Sequence, residues 1–233
     1  MAAGCVIIPP MKIAIDGPAG SGKSTIAKIL AKNLGFKHID TGAYYRWVTY
    51  KVLAGGVSVQ HTDKIIQTAQ RTDFTKIEEN KIRSREVTEN VSAVAAIPEV
   101  RRYVVAQQRL AAQNSNIVME GRDIGSVVFP DAEIKIFLTA SVGERAGRRC
   151  RELIDKGEKA VLAEIQKDII ERDRKDSTRH ASPLCKTADA VEIDTTGLTI
   201  EQVVEKITEI IPHRLPAADT SPYKGEDKTA ERI

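Results

Sequence analysis

The sequence has few cysteines and no long apolar segment. Cys5, Cys150 and Cys185 stand far apart among 233 residues, odd in number and without C-x-x-C spacing. This pattern indicates neither a disulfide framework nor a zinc site, and it is typical of the reducing cytoplasm. No apolar run approaches the roughly 20 residues that span a bilayer. We therefore expect a cytoplasmic protein that does not associate with membranes.

The two ends of the chain lack the features of targeting signals or packed structure. Residues 1–10 are apolar but have no basic region of the kind found in a signal peptide, so we expect an N-terminal extension before the fold. Residues 212–233 contain three prolines and mixed charges. Such a segment buries too little apolar area to offset the entropy of ordering, and we predict a flexible tail.

The sequence also lacks an excess of either charge. It has 35 basic and 32 acidic side chains and a formal net charge of +3, which is too near balance to predict nucleic-acid binding. The histidines are scattered, so we expect ordinary core or surface roles, not metal binding, for His38, His61, His180 and His213. Hydrophobic residues make up 42% of the chain, which is enough for one large α/β domain or two small ones.

One glycine-rich motif is present near the N-terminus. Gly17, four further residues and then Gly22-Lys23-Ser24 match G-x-x-x-x-G-K-[ST], with a predicted strand before the motif and a helix after it. Its glycines let backbone N–H groups approach phosphate oxygens. Lys23 can bridge the β- and γ-phosphates, and Ser24 is the expected Mg²⁺ ligand. The alternative is a plain turn between strand and helix. The predicted triphosphate contacts are Gly17, Pro18, Ala19, Gly20, Ser21, Gly22, Lys23, Ser24 and Thr25.

Hydrophobic periodicity predicts alternating strands and helices along the chain. The predicted strands span residues 12–16, 36–39, 116–120, 134–138 and 190–194. The predicted helices span residues 23–34, 40–53, 63–72, 86–96, 98–113, 141–156, 160–175 and 200–211. Residues 74–84 are predicted to form a small hairpin. Such alternation predicts a parallel sheet with helices on both faces and a ligand beyond the carboxyl ends of the strands.

Basic side chains follow the predicted strands at this edge. Arg46 and Arg122 lie in predicted loops after strands, where a guanidinium can bind a phosphate with two hydrogen bonds. Arg145, Arg148 and Arg149 share one helix face, and a second face carries Arg172, Asp176 and Arg179. For these two helices, a solvated face with ion pairs remains an equal alternative. Glu120 either orients Mg²⁺ through water or caps the next turn.

A GTP-driven switch would use the same phosphate-binding loop but needs further signatures. The nearest match to the base-reading N-K-x-D sequence is Asn80-Lys81-Ile82-Arg83, which lacks the aspartate. The segment Asp194-Thr-Thr-Gly197 imitates D-x-x-G but follows the last predicted strand. The sequence therefore argues against a GTPase.

Five segments between Lys12 and Ile211 together resemble the bacterial cytidylate kinases, which are short P-loop nucleoside monophosphate kinases. The segments are IDGPAGSGKST at the glycine-rich loop, DTGAYYR at 40–46, VSAVAAIPEVR at 91–101, EGRDIGSVVFPDA at 120–132 and ERDRKD at 171–176. The resemblance implies transfer of the γ-phosphate of ATP to CMP or dCMP with Mg²⁺. It implies a five-stranded parallel sheet, a small monophosphate-binding insert and a short lid. Separately, we expect a monomer. On this chain the kinase domain spans 11–211, with a core at 11–54 and 114–211, the insert at about 55–113 and the lid at about 145–172.

The resemblance also assigns roles to individual residues. Ser92, Arg101 and Asp123 correspond to cytosine readers; cytosine offers an N4 donor to a carboxylate, and acceptors to an arginine and a hydroxyl. Thr41, Tyr45, Arg46 and Arg122 would hold the CMP end. Arg172 and Asp176 would contact the sugar, Arg179 the phosphates being joined, and Arg148 would belong to the lid over ATP. The implied catalytic residues are Lys23, Arg122, Arg148 and Arg179.

The chain departs from the family pattern at two places. Only about ten residues are available between Phe74 and Arg83, where the family has room for a three-stranded insert. Ser177-Thr178 precedes Arg179 where a more basic sequence is expected. Two alternatives therefore stay open beside the CMP/dCMP kinase: a P-loop kinase for another nucleotide such as UMP, and a regulatory nucleotide-binding protein without a monophosphate substrate.

Overall fold

The computed structural model describes residues 10–211. Apart from Pro10, the predicted extension at 1–10 lies outside the described residues, as does the predicted tail at 212–233. The strands are β1 Lys12–Asp16, β2 Lys37–Asp40, β3 Ile117–Gly121, β4 Ile134–Thr139 and β5 Val191–Asp194. The α-helices are α1 Lys23–Leu34, α2 Thr41–Ala54, α3 Thr62–Gln70, α4 Arg85–Ala96, α5 Pro98–Ala111, α6 Val142–Asp155, α7 Leu162–Thr178 and α8 Ile200–Ile210.

The strands form one parallel sheet in the order β2-β3-β1-β4-β5. β1 lies in the centre, between β3 and β4. The chain places β2 and β3 on one side of β1 and β4 and β5 on the other, so the strand order reverses direction at β1. Ligands of open α/β sheets bind beyond the carboxyl ends of the strands at such a switch point. The predicted five-stranded P-loop architecture is confirmed, and the glycine-rich loop stands at this position.

The core lies on both faces of the sheet because successive side chains of a strand point to opposite faces. Ile13 and Ile15 of β1 pack with α1 and α8, whereas Ala14 packs on the other face with Met119 and Ile124. Central parallel strands buried on both sides consist of nearly continuous apolar residues, and β1 has this composition. The sheet thereby forms a rigid base for the loops at its carboxyl edge.

The segment between α2 and β3 is helical, and the hairpin predicted at 74–84 is wrong. A 3₁₀ turn, Phe74–Lys76, is capped by Asp73, whose carboxylate accepts a hydrogen bond from Thr75 N at 2.9 Å. Phe74 and Ile82 pack together against Trp47 of α2. A hairpin would have sent alternate side chains toward solvent, whereas packing on α2 buries Ile82 and half-buries Phe74. The prediction that 55–113 forms the monophosphate-binding insert remains a prediction.

Helices α6 and α7 pack against each other and have a small core of their own. Ala146 of α6 packs against Ile165 and Ile169 of α7. The assignment of about 145–172 as a lid stays a prediction. Among residues 10–211, no helix combines the length and the apolar composition needed to cross a membrane.

Candidate active site

The backbone conformation of the glycine-rich loop disfavours side chains at its glycines. Gly17, Gly20 and Gly22 adopt φ values of 148°, 77° and 94°. A Cβ atom on Gly17 would lie 2.0 Å from the carbonyl oxygen of Leu138, which is too close for any side chain. Gly22 is the N-cap of α1, so the loop leads directly into the positive end of the helix dipole. The geometry suits an anion held by backbone N–H groups.

Lys23 lies buried over this loop. Its Nζ donates to the Pro18 carbonyl at 2.6 Å and to Ser21 Oγ at 3.4 Å. Burial lowers the pKa of Lys23 well below its ordinary value, and the positive charge of Arg122 lowers it further. An incoming phosphate would favour the charged ammonium, so the site is electrostatically prepared for an anion.

Ser24 and Glu120 form an oxygen-rich pair beside the loop. Ser24 Oγ donates to Glu120 Oε2 at 2.6 Å, and Thr41 Oγ1 donates to the Glu120 main-chain carbonyl at 2.7 Å. Burial raises the pKa of Glu120, but hydrogen bonds from His38 and Ser24 outweigh it and hold the pKa below the ordinary value. A hydroxyl beside an ionised carboxylate fits Mg²⁺, which prefers oxygen ligands and takes the rest of its shell from phosphates and water.

Arg46, Arg122 and Arg172 form a cluster of cations near the glycine-rich loop. Burial lowers the pKa of Arg172 to about 10, and Arg122 and Arg46 contribute to this shift. Burial also lowers the pKa of Arg46, with a further contribution from Arg122. Arg122 Nε donates to Asp176 Oδ2 at 2.9 Å. Buried cations that lower one another's pKa in this way are stabilised by an anion. Arg122 and Arg172 also lower the pKa of Lys23, so the charge of the glycine-rich loop is coupled to that of the cluster.

A second cluster of buried polar side chains, which we call the Arg101–Asp123 pocket, consists of Arg101, Asp123 and Tyr45. Arg101 Nη2 donates to Asp123 Oδ2 and Arg101 Nη1 to the Ala95 carbonyl at 3.1 Å. The Arg101 guanidinium stands 5.1 Å from the ring centroid of Tyr45. Burial alone would lower the pKa of Arg101, but Tyr45 and Asp123 raise it above its ordinary value. The pocket therefore keeps a charged donor and a carboxylate acceptor side by side in a buried place.

Arg179 connects this pocket with the cation cluster. Its Nη2 lies 4.0 Å from Asp123 Oδ1, its Nη1 lies 3.7 Å from Asp176 Oδ1, and its Nε donates to the Ser182 carbonyl at 2.6 Å. Several buried polar atoms here have no hydrogen-bond partner within the described chain, which indicates a polar ligand. They are Tyr45 Oη, Arg101 Nε, Arg172 Nε and Arg179 Nη2.

Comparison with known proteins identifies the family. The family profile described as cytidylate kinase matches residues 13–213. The chain belongs to the cytidylate kinase family.

Its relatives among cytidylate kinases match almost the whole of their own length. The cytidylate kinase of Clostridioides difficile is 50% identical over 205 residues, which cover 84% of this chain and 95% of the relative. That of Carboxydothermus hydrogenoformans is 47% identical over 215 residues, covering 86% and 97%. A crystal structure of an uncharacterized protein from Eubacterium ventriosum has a TM-score of 0.51 at 14% identity and covers 88% of this chain and 99% of that one; it supports the fold alone.

Most of the predicted site residues of this cytidylate kinase family member converge on one region. Arg46 lies in α2, where Asp40 caps the helix. This agrees with the helix predicted at 40–53, and the separate assignment of Arg46 to a loop is wrong. Glu120 does not cap a turn, because its carboxylate contacts Ser24 and His38. Ser92 is half-buried on α4, one turn before Ala95, whose carbonyl binds Arg101.

Arg148 lies on the triphosphate side of the site. Its Nη2 donates to the Thr195 carbonyl at 2.7 Å and its Nη1 to Thr195 Oγ1 at 2.9 Å. The same Nη1 would lie 3.8 Å from a Cβ on Gly22. Arg148 therefore stands against the glycine-rich loop while bound to the residue that follows β5. Arg145, on the same helix, is buried and donates to the Ala19 carbonyl at 3.0 Å, so it supports the loop and does not face solvent.

Asp16 was not among the predicted site residues. Its carboxylate, at the end of β1, accepts hydrogen bonds from Ile124 N and Gly125 N, each at 2.8 Å. These amides open a short π-helix, Ile124–Val128, that follows Arg122 and Asp123. Burial raises the pKa of Asp16 to about 6, although the two amides oppose the shift. The available signal in the sequence was a carboxylate directly before a glycine-rich loop. Through its two hydrogen bonds, Asp16 connects this loop to the turn that carries Asp123.

Proposed function

We propose that this protein transfers the γ-phosphate of ATP to CMP and dCMP, giving CDP and dCDP. The observation that carries the proposal is the position of the cation cluster, which borders the glycine-rich loop through Lys23 and the Arg101–Asp123 pocket through Asp176. A site for a triphosphate alone would need only the first contact. A cluster that touches both suits two phosphates that are brought together.

The triphosphate half would use the loop from Gly17 to Thr25. Backbone N–H groups would hold the phosphates, and Lys23 would turn from the Pro18 carbonyl to the β- and γ-phosphates. Ser24 and Glu120 would hold Mg²⁺, directly for the hydroxyl and through water for the carboxylate. When bound, Mg²⁺ would neutralise charge on the phosphate oxygens.

The acceptor half would place the CMP phosphate among the arginines. Arg46 and Arg122 would each offer a planar guanidinium to it, Arg172 would add positive charge beside the sugar, and Arg179 would reach the phosphates being joined. No general base is needed, because the phosphate that attacks is already anionic at neutral pH. The residues would contribute orientation and charge stabilisation, which phosphoryl transfer chiefly requires.

The Arg101–Asp123 pair would read the base. Cytosine presents an N4 donor that Asp123 can accept, and O2 and N3 acceptors toward Arg101 and the Ser92 hydroxyl. Uracil presents a carbonyl in place of the amine, so the buried carboxylate would face another acceptor. Leaving buried polar groups unpaired costs about 1–3 kcal/mol, which favours the cytosine nucleotides. Asp176 would accept a hydrogen bond from the sugar, and Thr41 and Tyr45 would line the same cleft.

We further propose that residues 55–113 act as the monophosphate-binding insert and residues 145–172 as a lid over ATP that carries Arg148. The enzyme would work as a cytoplasmic monomer without a nucleic-acid partner. The near balance of charge and the free thiols of Cys150 and Cys185 support this setting.

Phosphorus NMR of a mixture of the protein, ATP, Mg²⁺ and CMP tests the proposed reaction. We expect the two signals of CDP to grow together with those of ADP. Loss of ATP with release of inorganic phosphate and no CDP would overturn the proposal, because it would mean hydrolysis without an acceptor.

A further inference from the structure

His38 contacts the carboxylate that the proposed function assigns to Mg²⁺. It lies in the edge strand β2, beside β3, and in this parallel pairing it is aligned with Val118, two residues before Glu120. Its Nε2 stands 3.0 Å from Glu120 Oε1. The sequence alone predicts only an ordinary core or surface role for His38, because an isolated histidine in a short strand carries no signal until the strands pair.

The two oxygens of Glu120 have different partners. Oε1 is bound by His38 and Oε2 accepts from Ser24 Oγ at 2.6 Å. Glu120 is only 3% exposed, so water cannot readily replace either partner. A carboxylate accepts hydrogen bonds through both of its oxygens and donates none. A hydrogen bond between Nε2 and Oε1 therefore has the imidazole N–H of His38 as its donor.

We propose that His38 is a positioning residue: its Nε2–H holds Glu120 Oε1 so that Oε2 stays beside the Ser24 hydroxyl, where Mg²⁺ is to bind. The inference rests on the proposed Mg²⁺·ATP function. His38 has no contact with the Arg101–Asp123 pocket among its hydrogen bonds and salt bridges in the described chain. Its effect should therefore appear in metal binding and not in recognition of CMP.

A simple packing role predicts something different. The His38 side chain is 20% exposed and borders a surface cavity of about 240 Å³ together with Lys28, Lys37 and Asp40. A residue that acts only by filling space at such a place would tolerate polar substitutes of similar size equally well. A residue that acts through one N–H group would tolerate only the substitute that keeps this group in place.

Two amide substitutions separate these possibilities. In His38→Gln, the side-chain nitrogen can take the position of Nε2 and donate to Glu120. In His38→Asn, the nitrogen corresponds to Nδ1 and falls short. Both variants are polar, and neither enlarges the side chain. His61→Asn is the matched control, since His61 is exposed at the start of α3, away from the loop. Ser24→Ala serves as the reference for a lost metal contact.

The primary readout is the binding of Mn²⁺, a substitute for Mg²⁺, to the full chain with a non-hydrolysable ATP analogue, measured by electron paramagnetic resonance. Loss of a residue that orients a metal ligand weakens metal binding by about 10- to 100-fold. We expect His38→Asn to weaken Mn²⁺ binding by roughly 10-fold or more. We expect His38→Gln and His61→Asn to stay close to the wild type, and the KM for CMP to be unchanged in all three.

Equal Mn²⁺ affinity in His38→Asn and wild type would overturn the inference, and so would equal losses in the Asn and Gln variants, which would indicate packing. An increase in the KM for CMP as large as the loss of metal binding would also overturn it. Failure of the proposed function has a separate signature: the wild type would not phosphorylate CMP at all. The difference in Mn²⁺ binding between the Asn and Gln variants does not depend on that turnover.

Discussion

Arg101 and Asp123 form a buried ion pair, in which 4% and 5% of the two side chains are exposed. They come from α5 and from the turn after β3, so only the folded chain brings them together. Neutralising one partner of such a buried pair strongly destabilises the folded protein, because the other charge stays buried without compensation. Here the pair also stands where the proposed cytosine would bind.

Asp123→Asn should change which nucleotide is preferred. The amide leaves the Arg101 charge uncompensated and offers a donor where the carboxylate accepted one. We expect kcat/KM for CMP to fall roughly 30- to 1000-fold, which corresponds to a loss of about 2–4 kcal/mol of transition-state stabilisation. The ratio of CMP to UMP turnover should fall as well, while the KM for ATP changes little. Steady-state kinetics with both nucleotides measures this.

Glu99→Gln is the control for that experiment. It neutralises the partner of Arg102, an exposed pair on the first turn of the same helix. Exposed pairs contribute little, so activity should stay at the wild-type level. An unchanged CMP to UMP ratio in Asp123→Asn would contradict the assignment of Asp123 as the base reader.

Arg179→Ala should lower turnover strongly. Its guanidinium is held near Asp123 and Asp176, and its free Nη2 atom is buried. We expect a loss on the order of 10²-fold or more in kcat/KM, since a charge that stabilises the transferred phosphate is worth a few kcal/mol. Arg174→Ala, in the last turns of α7 just before Arg179, removes only an exposed contact with Glu171 and should have little effect. Equal activities of these two variants would remove Arg179 from the site.

Gly17→Ala should disrupt the phosphate-binding loop. The added Cβ would collide with the Leu138 carbonyl, at a backbone φ of 148° that L side chains rarely adopt. We expect loss of measurable binding of an ATP analogue by calorimetry. In Gly35→Ala the φ is 66° and nothing lies within 4 Å of the new atom, so the cost is backbone strain of about 1–2 kcal/mol and ATP binding persists. Similar ATP binding in the two variants would contradict the described loop.

Asp16 should make stability depend on pH in the weakly acidic range. Its pKa in the folded chain, about 6, is above the ordinary value of 3.8, so the folded state binds the proton more tightly than the unfolded state. The stabilising effect of the proton is complete below the ordinary pKa and is lost as the pH rises through 6. Between pH 5 and pH 7 the wild type should lose about 1 kcal/mol of unfolding free energy from this group.

Asp16→Asn should lack this component, because the amide does not titrate. Urea denaturation of both proteins at pH 5, 6 and 7 gives the difference in unfolding free energy. We expect the unfolding free energy of the wild type, relative to that of Asp16→Asn, to decrease as the pH rises. A difference that is independent of pH would show that Asp16 has the same pKa in the folded and unfolded chains.

The sequence predicted the sheet well because its signals are local. The apolar run of β1, the glycine-rich loop and the cap at Asp40 each determine structure within a few residues. The segment from Phe74 to Ile82 was predicted wrongly because its conformation depends on Trp47, almost thirty residues earlier in the chain. Alternating polar and apolar residues there fit a hairpin, but burial against α2 decided otherwise.

The candidate site could be predicted only in part, because it too depends on contacts between residues far apart in the sequence. Arg122 and Asp123 follow a strand and could be singled out from position alone. Arg101 lies within a helix of ordinary composition, and only the resemblance to a family drew attention to it. Asp16 and His38 were missed because their roles arise from strand pairing, which brings Ile124 N to one and Glu120 to the other.

The central claim is that this chain phosphorylates cytosine nucleotides, and a panel of acceptors tests it most directly. ADP release is measured with ATP, Mg²⁺ and CMP, dCMP, UMP, dTMP, AMP or GMP in turn. We predict kcat/KM values for CMP and dCMP that exceed those for AMP, GMP and dTMP by roughly 100-fold or more, as expected of a site that pairs its buried polar groups with only one base. Comparable values for AMP and CMP would contradict the account.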